Sequence, residues 1–249
     1  MRNKLLRREL CIGSWIQVGH PGNAEILARA GFAWIAADCE HGEVEDADLG
    51  NLFRAIRQFG VVPLVRVREN AVLCIRRALD LGAMGIIVPL VNSPDEAQRA
   101  VRAARYPPDG VRGFAYQRAN NWGADCDNYI KHTSRDIAVI VMIESKEAVE
   151  DIGSILAVDG VDAVFVGPYD MSGSYGIAGQ IEHPIIRDAC RSVAEACRRA
   201  GKSAGLHLVT PTSENSRQAI EQGFTLLALG MDTVFLAEGA KKCLELAKS

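Results

Sequence analysis

The sequence predicts an α/β fold, and within that class a single TIM (β/α)8 barrel over residues 1–249. Short apolar segments alternate with amphipathic ones eight times, and glycines end several of the amphipathic segments, as in the βα units of a parallel sheet. A length of 249 residues suits one barrel, and no linker divides the chain. A doubly wound open sheet is the alternative, but no G-x-G-x-x-G motif follows a predicted strand.

The first four strand–helix units lie in the first half of the chain. Short apolar runs predict strands over 12–18, 32–37, 61–67 and 84–88. Apolar residues at helical spacing predict helices over 23–30, 46–59, 71–81 and 94–104. Gly31, Gly60 and Gly82 follow the first three helices, and Ser93 before Pro94 is a typical N-cap of the fourth.

The other four units follow an irregular stretch. Strands are predicted over 138–143, 163–166, 203–208 and 225–229, and helices over 146–156, 184–200, 213–222 and 232–247. Residues 106–135 have no clear period, so we expect a long loop on the βα side of the barrel. Such a loop is functional or disordered, and its arginine and aromatic residues argue against disorder.

Composition excludes several classes of protein. The net charge is -3, which gives no electrostatic reason to bind nucleic acid or an anionic membrane. No apolar run approaches the roughly 20 residues that span a bilayer, and residues 1–10 lack the features of a signal peptide. The predicted location is cytoplasmic. The seven cysteines are scattered and include no C-x-x-C pair, so we expect small buried residues, Cys39 included, and neither disulfides nor zinc.

Asp38, Glu40 and His41 lie together directly after the second predicted strand. Three titratable side chains at the end of a buried strand are costly unless they pair with each other or with a metal. In a barrel, strand ends and the loops after them form the active-site face. This cluster therefore predicts a site in which His41 is a general base and Asp38 orients its ring, with Glu40 as support.

Other polar residues also fall at predicted strand ends. Arg66 interrupts a valine run and needs an anion, either a structural partner, an acid of the site or a substrate carboxylate. Glu144 and Asp170 follow strands five and six, where two carboxylates with waters could hold Mg²⁺ or Mn²⁺. The alternative for both is a helix N-cap. The lysines lie off this face, which favours metal-assisted carbonyl chemistry over imine chemistry.

Seven short motifs occur in order along the chain: Gly13-Ser14-Trp15, Asp38-Cys39-Glu40-His41-Gly42, Val65-Arg66-Val67, Arg105-Tyr106-Pro107-Pro108, Gly110-Val111-Arg112-Gly113, Ile143-Glu144-Ser145 and Gly167-Pro168-Tyr169-Asp170-Met171-Ser172. Together they resemble the HpcH/HpaI aldolase family of class II, metal-dependent pyruvate aldolases. The resemblance implies a phosphoenolpyruvate/pyruvate-type TIM barrel. It also implies a homohexamer, a dimer of trimers, whose last helix is exchanged between subunits.

The resemblance further implies a reaction, the reversible cleavage of a 4-hydroxy-2-oxo acid to pyruvate and an aldehyde through a metal-stabilised enolate. Glu144 and Asp170 would hold Mg²⁺, Mn²⁺ or Co²⁺, and Arg66 would stabilise the enolate charge. His41, oriented by Asp38, would act as the base through a metal-bound water.

Substrate contacts are expected from Trp15, Arg66, Gly167, Tyr169, Met142 and His207. By the resemblance, Gly167 and Tyr169 would lend backbone contacts to the pyruvate carboxylate. Three of these positions depart from the family pattern: Met142 replaces a usual glutamine, Tyr169 a small residue and His207 an apolar residue. The departures put the usual substrate in question.

Two other functions remain open from the sequence. A citramalyl- or malyl-CoA-type lyase would share the barrel and the enolate chemistry. Its basic groove for the CoA phosphates could draw only on four arginines: Arg102, Arg105, Arg112 and Arg118. A metabolite-binding barrel that has lost turnover is the other function, suggested by Met142.

Overall fold

Eight parallel strands close into a barrel in the computed structural model, which describes residues 1–248 apart from the side chains of residues 133 and 134. Spatial order follows chain order, and the first strand pairs with the last. All eight predicted strands are confirmed, with ends that differ by at most two residues. The strands are β1 (Cys11–Ile16), β2 (Trp34–Asp38), β3 (Val62–Arg66), β4 (Gly85–Val88), β5 (Ala138–Ile143), β6 (Ala163–Val166), β7 (Ser203–Leu208) and β8 (Leu226–Met231).

The helices surround the barrel. They are α1 (Arg2–Leu6), α2 (Pro21–Arg29), α3 (Asp46–Arg57), α4 (Val72–Asp80), α5 (Pro94–Ala104), α6 (Cys126–Lys131), α7 (Lys146–Glu150), α8 (Ile152–Ala157), α9 (Pro168–Ser174), α10 (Pro184–Arg199), α11 (Ser213–Glu221) and α12 (Asp232–Leu246). The Ser93 hydroxyl caps α5 by accepting from the Glu96 N–H, as predicted. The helix predicted over 146–156 is two helices that meet at Asp151. The sequence did not predict α1, α6 and α9.

Large and small residues alternate inside the barrel. Trp34 fills the space beside Gly13, its register partner on β1, where an added Cβ would lie 2.1 Å from the indole. On the other side, Phe165 packs over Gly205, where an added Cβ would lie 2.4 Å from the ring. These side chains fill the interior of the barrel, so an open site is possible only at the ends of the strands.

Helix α1 closes the amino-terminal end of the barrel. Leu5 is fully buried, and its carbonyl accepts a hydrogen bond of 2.8 Å from the Ser203 hydroxyl on β7. Arg2 Nε donates to the buried Asp162 carboxylate just before β6, at 2.8 Å. The carboxyl-terminal end is therefore the end left for a ligand.

Residues 106–135 also lie at the amino-terminal end, because they connect the end of α5 to the start of β5. The expected position on the βα side is wrong. The segment is packed rather than loose: the fully buried Arg112 donates to Asp80 at the end of α4 (2.8 Å) and to the Tyr129 hydroxyl (3.0 Å). The Arg112 guanidinium also lies over the Tyr106 ring, 4.8 Å from its centroid.

The last helix leaves the barrel surface. In α12 only Asp232 is buried, whereas Leu236 is 75% exposed and Leu244 and Leu246 are exposed as well. A helix with apolar residues on an uncovered face needs a partner surface. Within residues 1–248, no helix combines the length and the apolar character needed to cross a membrane.

Candidate active site

Asp38 and Arg66 form a bidentate ion pair at the carboxyl-terminal end of the barrel. They end β2 and β3 and are register partners, so both side chains point into the barrel. Arg66 Nε and Nη2 donate to the two Asp38 oxygens at 2.9 and 2.7 Å. Gln17 Nε2 donates to Oδ2 at 3.2 Å, and the backbone N–H groups of Glu40 and His41 donate to Oδ1, each at 3.2 Å. Asp38, 1% exposed, therefore has its acceptors occupied.

Both members of the pair are charged at neutral pH. Burial alone would raise the pKa of Asp38, but the hydrogen bonds and charge of Arg66 outweigh burial and lower it. Burial would likewise lower the pKa of Arg66, and Asp38 with the nearby Glu40 and Glu144 raises it. The guanidinium is thus a fixed cation at the mouth of the barrel.

The His41 ring lies beside Glu40 rather than Asp38. Its Nε2 is 3.8 Å from Glu40 Oε2, and its side chain is 60% exposed. Glu40 Oε2 is also 3.2 Å from Arg66 Nη1, so Glu40 lies between the His41 ring and the Arg66 guanidinium. The prediction that Asp38 orients the His41 ring is wrong. Asp38 accepts from the backbone N–H of His41, and the His41 side chain extends from the turn that follows β2.

Glu144 and Asp170 come from neighbouring strand ends. Ile143 on β5 pairs with Val166 on β6, so the residues that follow these strands begin level with each other. Glu144 is 4% exposed and its Oε1 accepts from the Leu90 N–H at 2.7 Å. Burial raises the pKa of Glu144 to about 7, and the charges of Glu40 and Asp170 add to the rise.

Neither carboxylate is a helix N-cap. Ser145 caps α7 by accepting from the Ala148 N–H, and Gly167 is the residue before α9. Gly167 also makes room for Glu144, since an added Cβ would lie 2.8 Å from Glu144 Oε2. The cap alternative is therefore excluded, and Glu144 and the exposed Asp170 are left with oxygens directed to the site.

The carboxylates of Glu144 and Asp170 suit a divalent cation. Among the described residues, no group of three or more His, Cys, Asp or Glu side chains has the arrangement of a complete metal site. However, Glu40 Oε2 is buried without a hydrogen bond, and Glu40, Glu144 and Asp170 repel one another's charges. Two protein carboxylates with waters are a usual shell for Mg²⁺, so a cation bound by Glu144 and Asp170 would relieve this repulsion.

A cavity of about 550 Å³ opens beside Asp170 and continues outward between α10 and α11. Trp15, Met142, Tyr169 and His207 line it with Asp38, Arg66 and Asp170, so the predicted substrate-binding residues Trp15, Met142, Tyr169 and His207 come together. The Arg66 guanidinium lies over the Trp15 ring, 5.0 Å from its centroid. Tyr169 is exposed at the rim.

His207 is a neutral histidine in the cavity wall. Its Nε2 lies 3.1 Å from the Gly230 carbonyl, and its ring centroid is 5.9 Å from that of Trp15. Burial lowers the pKa of His207 to about 4, and the nearby Arg66 charge adds to the effect, whereas the Gly230 contact and Asp38 oppose it.

The arginines considered for a CoA groove face other parts of the molecule. Arg112 pairs with Asp80, Arg118 donates to the Leu81 carbonyl, and Arg105 donates to the Ile137 carbonyl, all at the amino-terminal end of the barrel. The structure thus places these three opposite the cavity. Of the lysines in the described part of the chain, none lines the cavity.

Comparison with known proteins gives consistent matches along nearly the whole chain. The model of the HpcH/HpaI aldolase/citrate lyase family matches residues 12–238. A 4-hydroxy-2-oxo-heptane-1,7-dioate aldolase from Salmonella heidelberg (strain SL476) is 37% identical over 232 residues, covering 92% of this chain and 87% of the relative.

Two solved structures are similar over the full fold. An HpcH/HpaI aldolase/citrate lyase family protein from Burkholderia cenocepacia J2315 has a TM-score of 0.94 at 34% identity, covering 100% of this chain and 98% of that one. An HpcH/HpaI aldolase from Desulfitobacterium hafniense DCB-2 has a TM-score of 0.90 at 31% identity, covering 100% and 96%.

Proposed function

Because the chain belongs to the HpcH/HpaI aldolase/citrate lyase family, we propose that it is a metal-dependent aldolase that reversibly cleaves a 4-hydroxy-2-oxo acid to pyruvate and an aldehyde. One observation carries the proposal: Glu144 and Asp170 follow the neighbouring strands β5 and β6, and Asp170 lines the same cavity as the fixed Arg66 guanidinium. A cation site beside a positive hydrogen-bond donor suits a keto acid, which has an anionic end and a carbonyl to polarise.

Glu144 and Asp170 would hold the cation, Mg²⁺, Mn²⁺ or Co²⁺. When bound, it supplies Lewis acidity that draws electron density from the keto acid and eases cleavage of the carbon–carbon bond. Buried Glu144 is held by the Leu90 N–H, which fixes the direction of its free oxygen. Tyr169 lies in the first turn of α9 beside Asp170 and would lend its backbone N–H to the substrate carboxylate, whereas the Gly167 N–H already donates to the Ile143 carbonyl at 3.1 Å.

Arg66 stabilises the negative charge that develops on the keto oxygen during cleavage. Two of its N–H groups are used by Asp38, which holds the guanidinium plane, while hydrogens on Nη1 and Nη2 remain for substrate. A donor held in place before the reaction stabilises a developing oxyanion without a reorganisation cost. Asp38 is therefore a positioning residue for Arg66.

His41 accepts the proton of the 4-hydroxyl group in the cleavage direction. Its Nε2 faces the Glu40 carboxylate, so Nδ1 is the ring atom left to take the proton. Glu40 then stabilises the imidazolium across the 3.8 Å contact. Because the ring is exposed, it can return the proton to solvent.

The test is metal-dependent pyruvate release. Since relatives are named for 4-hydroxy-2-oxo-heptane-1,7-dioate, that acid is the first substrate, with pyruvate measured by lactate dehydrogenase. EDTA should abolish release, Mn²⁺ or Mg²⁺ should restore it, and borohydride with pyruvate should not inactivate the enzyme. Activity that survives EDTA, or loss with borohydride, rules out the mechanism.

A matched pair of variants tests the cation site directly. Asp170→Asn should weaken Mn²⁺ binding in calorimetry and abolish release, because it removes one anionic ligand. Asp159→Asn, at an exposed position at the opposite end of the barrel, should leave both unchanged. Mn²⁺ and pyruvate binding without release in the unaltered protein would instead favour a metabolite-binding barrel.

The uncovered face of α12 supports assembly. Its exposed leucines would be covered if the helix packed on a neighbouring barrel, as in a hexamer with exchanged last helices. In such an exchange each barrel is stabilised by the last helix of a neighbour, so the stability of the barrel and the assembly of the oligomer depend on each other.

A further inference from the structure

Gln17 joins three parts of the molecule at the carboxyl-terminal end of the barrel. It follows β1 directly and is level with Asp38, the last residue of β2. Its backbone carbonyl accepts from the Glu43 N–H at 2.7 Å, which holds the turn after β2. Its backbone N–H donates to Oδ1 of Asp232, the first residue of α12, at 2.9 Å. One residue therefore connects β1, the turn after β2 and the start of α12.

The side-chain amide of Gln17 is oriented by two partners. A carboxylate ion can only accept, so the NH2 group of the amide faces Asp38, and Nε2 donates to Asp38 Oδ2 at 3.2 Å. The amide oxygen accepts from the Thr233 hydroxyl at 3.0 Å. Arg66 Nη2 donates to the same Asp38 oxygen at 2.7 Å. A chain of three hydrogen bonds thus leads from Thr233 through Gln17 and Asp38 to the Arg66 guanidinium.

The start of α12 fixes the far end of this chain. Asp232 is 7% exposed, and it precedes Thr233 in the first turn of the helix. Its carboxylate accepts from four groups, the backbone N–H groups of Gln17, Val18 and Thr233 and the side-chain amide of Asn23, at 2.9, 3.1, 2.9 and 3.3 Å. Because these donors belong to β1, α2 and α12, the Thr233 hydroxyl donates from a fixed position.

Gln17 controls the plane of the Asp38 carboxylate. The backbone N–H groups of Glu40 and His41 hold Oδ1, whereas Gln17 and Arg66 hold Oδ2. The terminal torsion of an aspartate side chain is soft, so a carboxylate held at one oxygen can still turn. Without Gln17, Oδ2 would be held by Arg66, the group that Asp38 itself positions. The bond from Gln17 therefore supplies a reference that is independent of the guanidinium.

We propose that Gln17 is a positioning residue, which fixes the Asp38 carboxylate, and through it the Arg66 guanidinium, by tying both to the start of α12. The inference rests on the proposed aldolase function, in which Arg66 stabilises the charge that develops on the keto oxygen. A guanidinium that can turn must be reoriented before it stabilises that charge. Loss of Gln17 should therefore weaken the binding of a negative oxygen more than that of a neutral carbonyl.

The test compares two ligands of the Mn²⁺-loaded protein by calorimetry. Oxalate resembles the enolate of pyruvate, with a negative oxygen in the position of the keto oxygen, whereas pyruvate has a neutral carbonyl there. The ratio of the two dissociation constants does not depend on the fraction of folded protein. Gln17→Met keeps the length of the side chain without its amide and should lower the preference for oxalate about tenfold. That is less than the roughly 10²- to 10³-fold cost of removing an oxyanion donor altogether, because Arg66 itself remains.

Three further variants separate the hydrogen bonds of Gln17 from its packing. Gln17→Glu keeps the shape and the acceptor for Thr233 but turns a second negative charge toward Asp38, so the preference for oxalate should fall at least as far as in Gln17→Met. Thr233→Val should lower it by a smaller factor and should have no further effect in the Gln17→Met background. Thr225→Val is the matched control before β8 at the other end of the barrel. The Thr225 hydroxyl is buried without a hydrogen-bond partner in the described part of the chain, so the preference should not change.

Two outcomes overturn the inference. The first is an unchanged preference for oxalate in both Gln17→Met and Gln17→Glu. The second is an effect of Thr233→Val that adds in full to that of Gln17→Met, because the two residues would then act independently. Binding of both ligands with an unchanged preference refutes the role of Gln17 alone. If the unaltered protein with Mn²⁺ binds neither oxalate nor pyruvate, the aldolase function is refuted and the inference with it.

Discussion

Replacing Asp38 by Asn should damage both the stability of the barrel and the binding of the keto acid. The pair is bidentate, with bonds of 2.9 and 2.7 Å, and Asp38 is 1% exposed. Removing one partner of a buried pair leaves the other charge uncompensated, at a cost of about 3–5 kcal/mol. That is a large part of the roughly 5–15 kcal/mol by which a domain is stable.

The kinetic constants of Asp38→Asn should show whether Asp38 positions Arg66 or the His41 ring. If Asp38 positions Arg66, the variant raises KM for the 4-hydroxy-2-oxo acid and lowers kcat, because the guanidinium plane is no longer fixed. His41→Ala should cost the same factor in turnover with and without Asp38→Asn, since Asp38 contacts only the backbone N–H of His41. If Asp38 oriented the ring instead, His41→Ala would cost less in the Asp38→Asn background.

The assay combines urea unfolding with pyruvate release over a range of pH. Asp80→Asn is the matched control, because it breaks another ion pair of a buried arginine, the Arg112–Asp80 contact of 2.8 Å, at the opposite end of the barrel. The control should lose stability but keep its KM. A loss below about 1 kcal/mol for Asp38→Asn, or an unchanged KM together with a smaller cost of His41→Ala in this background, would refute the reasoning.

Three further changes have defined outcomes. The raised pKa of Glu144 means that metal-free protein should lose about 3 kcal/mol of stability as the pH rises from 4.5 to 7, because the folded state gives up a proton it holds more tightly than the unfolded chain. In Glu144→Gln, urea unfolding should no longer show this dependence of stability on pH. A variant whose stability falls with pH as steeply as that of the unaltered protein would contradict the role of Glu144. His41→Ala should lower turnover roughly 10²- to 10⁴-fold with Mn²⁺ affinity nearly intact by calorimetry, and unchanged turnover would remove His41 from the mechanism. Leu236→Glu on α12 should reduce the mass measured by light scattering after gel filtration, whereas an unchanged mass would show that the exposed face is not an interface.

The barrel was predictable because its signals are local. A strand that is buried on both faces must be apolar throughout, and at least one helical segment separates each such run here from the next. The order βα repeated eight times leaves little freedom in topology. Helices α1 and α9 were missed because they span only 5 and 7 residues, which is too short for a helical period to be visible in the sequence.

The position of residues 106–135 shows how a local pattern can mislead. The arginine and aromatic residues suggested a functional loop, whereas Arg112 and Tyr129 use these groups to pack the amino-terminal end of the barrel. The order of the elements predicts the correct end of the barrel, because a segment that follows a helix and precedes a strand must lie at the start of the parallel strands. The composition of the segment cannot replace that geometrical argument.

Strand order and register likewise predict the positions of most residues of the site. Gln17 follows Ile16, whose register partner is Ala37, so Gln17 is level with Asp38, and Asp38 is level with Arg66. Three polar residues thus form one inward row across neighbouring strands, and their hydrogen bonds follow from that row. Period two along each strand likewise brings Glu144 and His207 inward at the carboxyl-terminal end. Glu40 and His41 lie in the turn beyond the strand, where this period no longer applies, so the partner of the His41 ring depends on the turn geometry and could not be read from spacing.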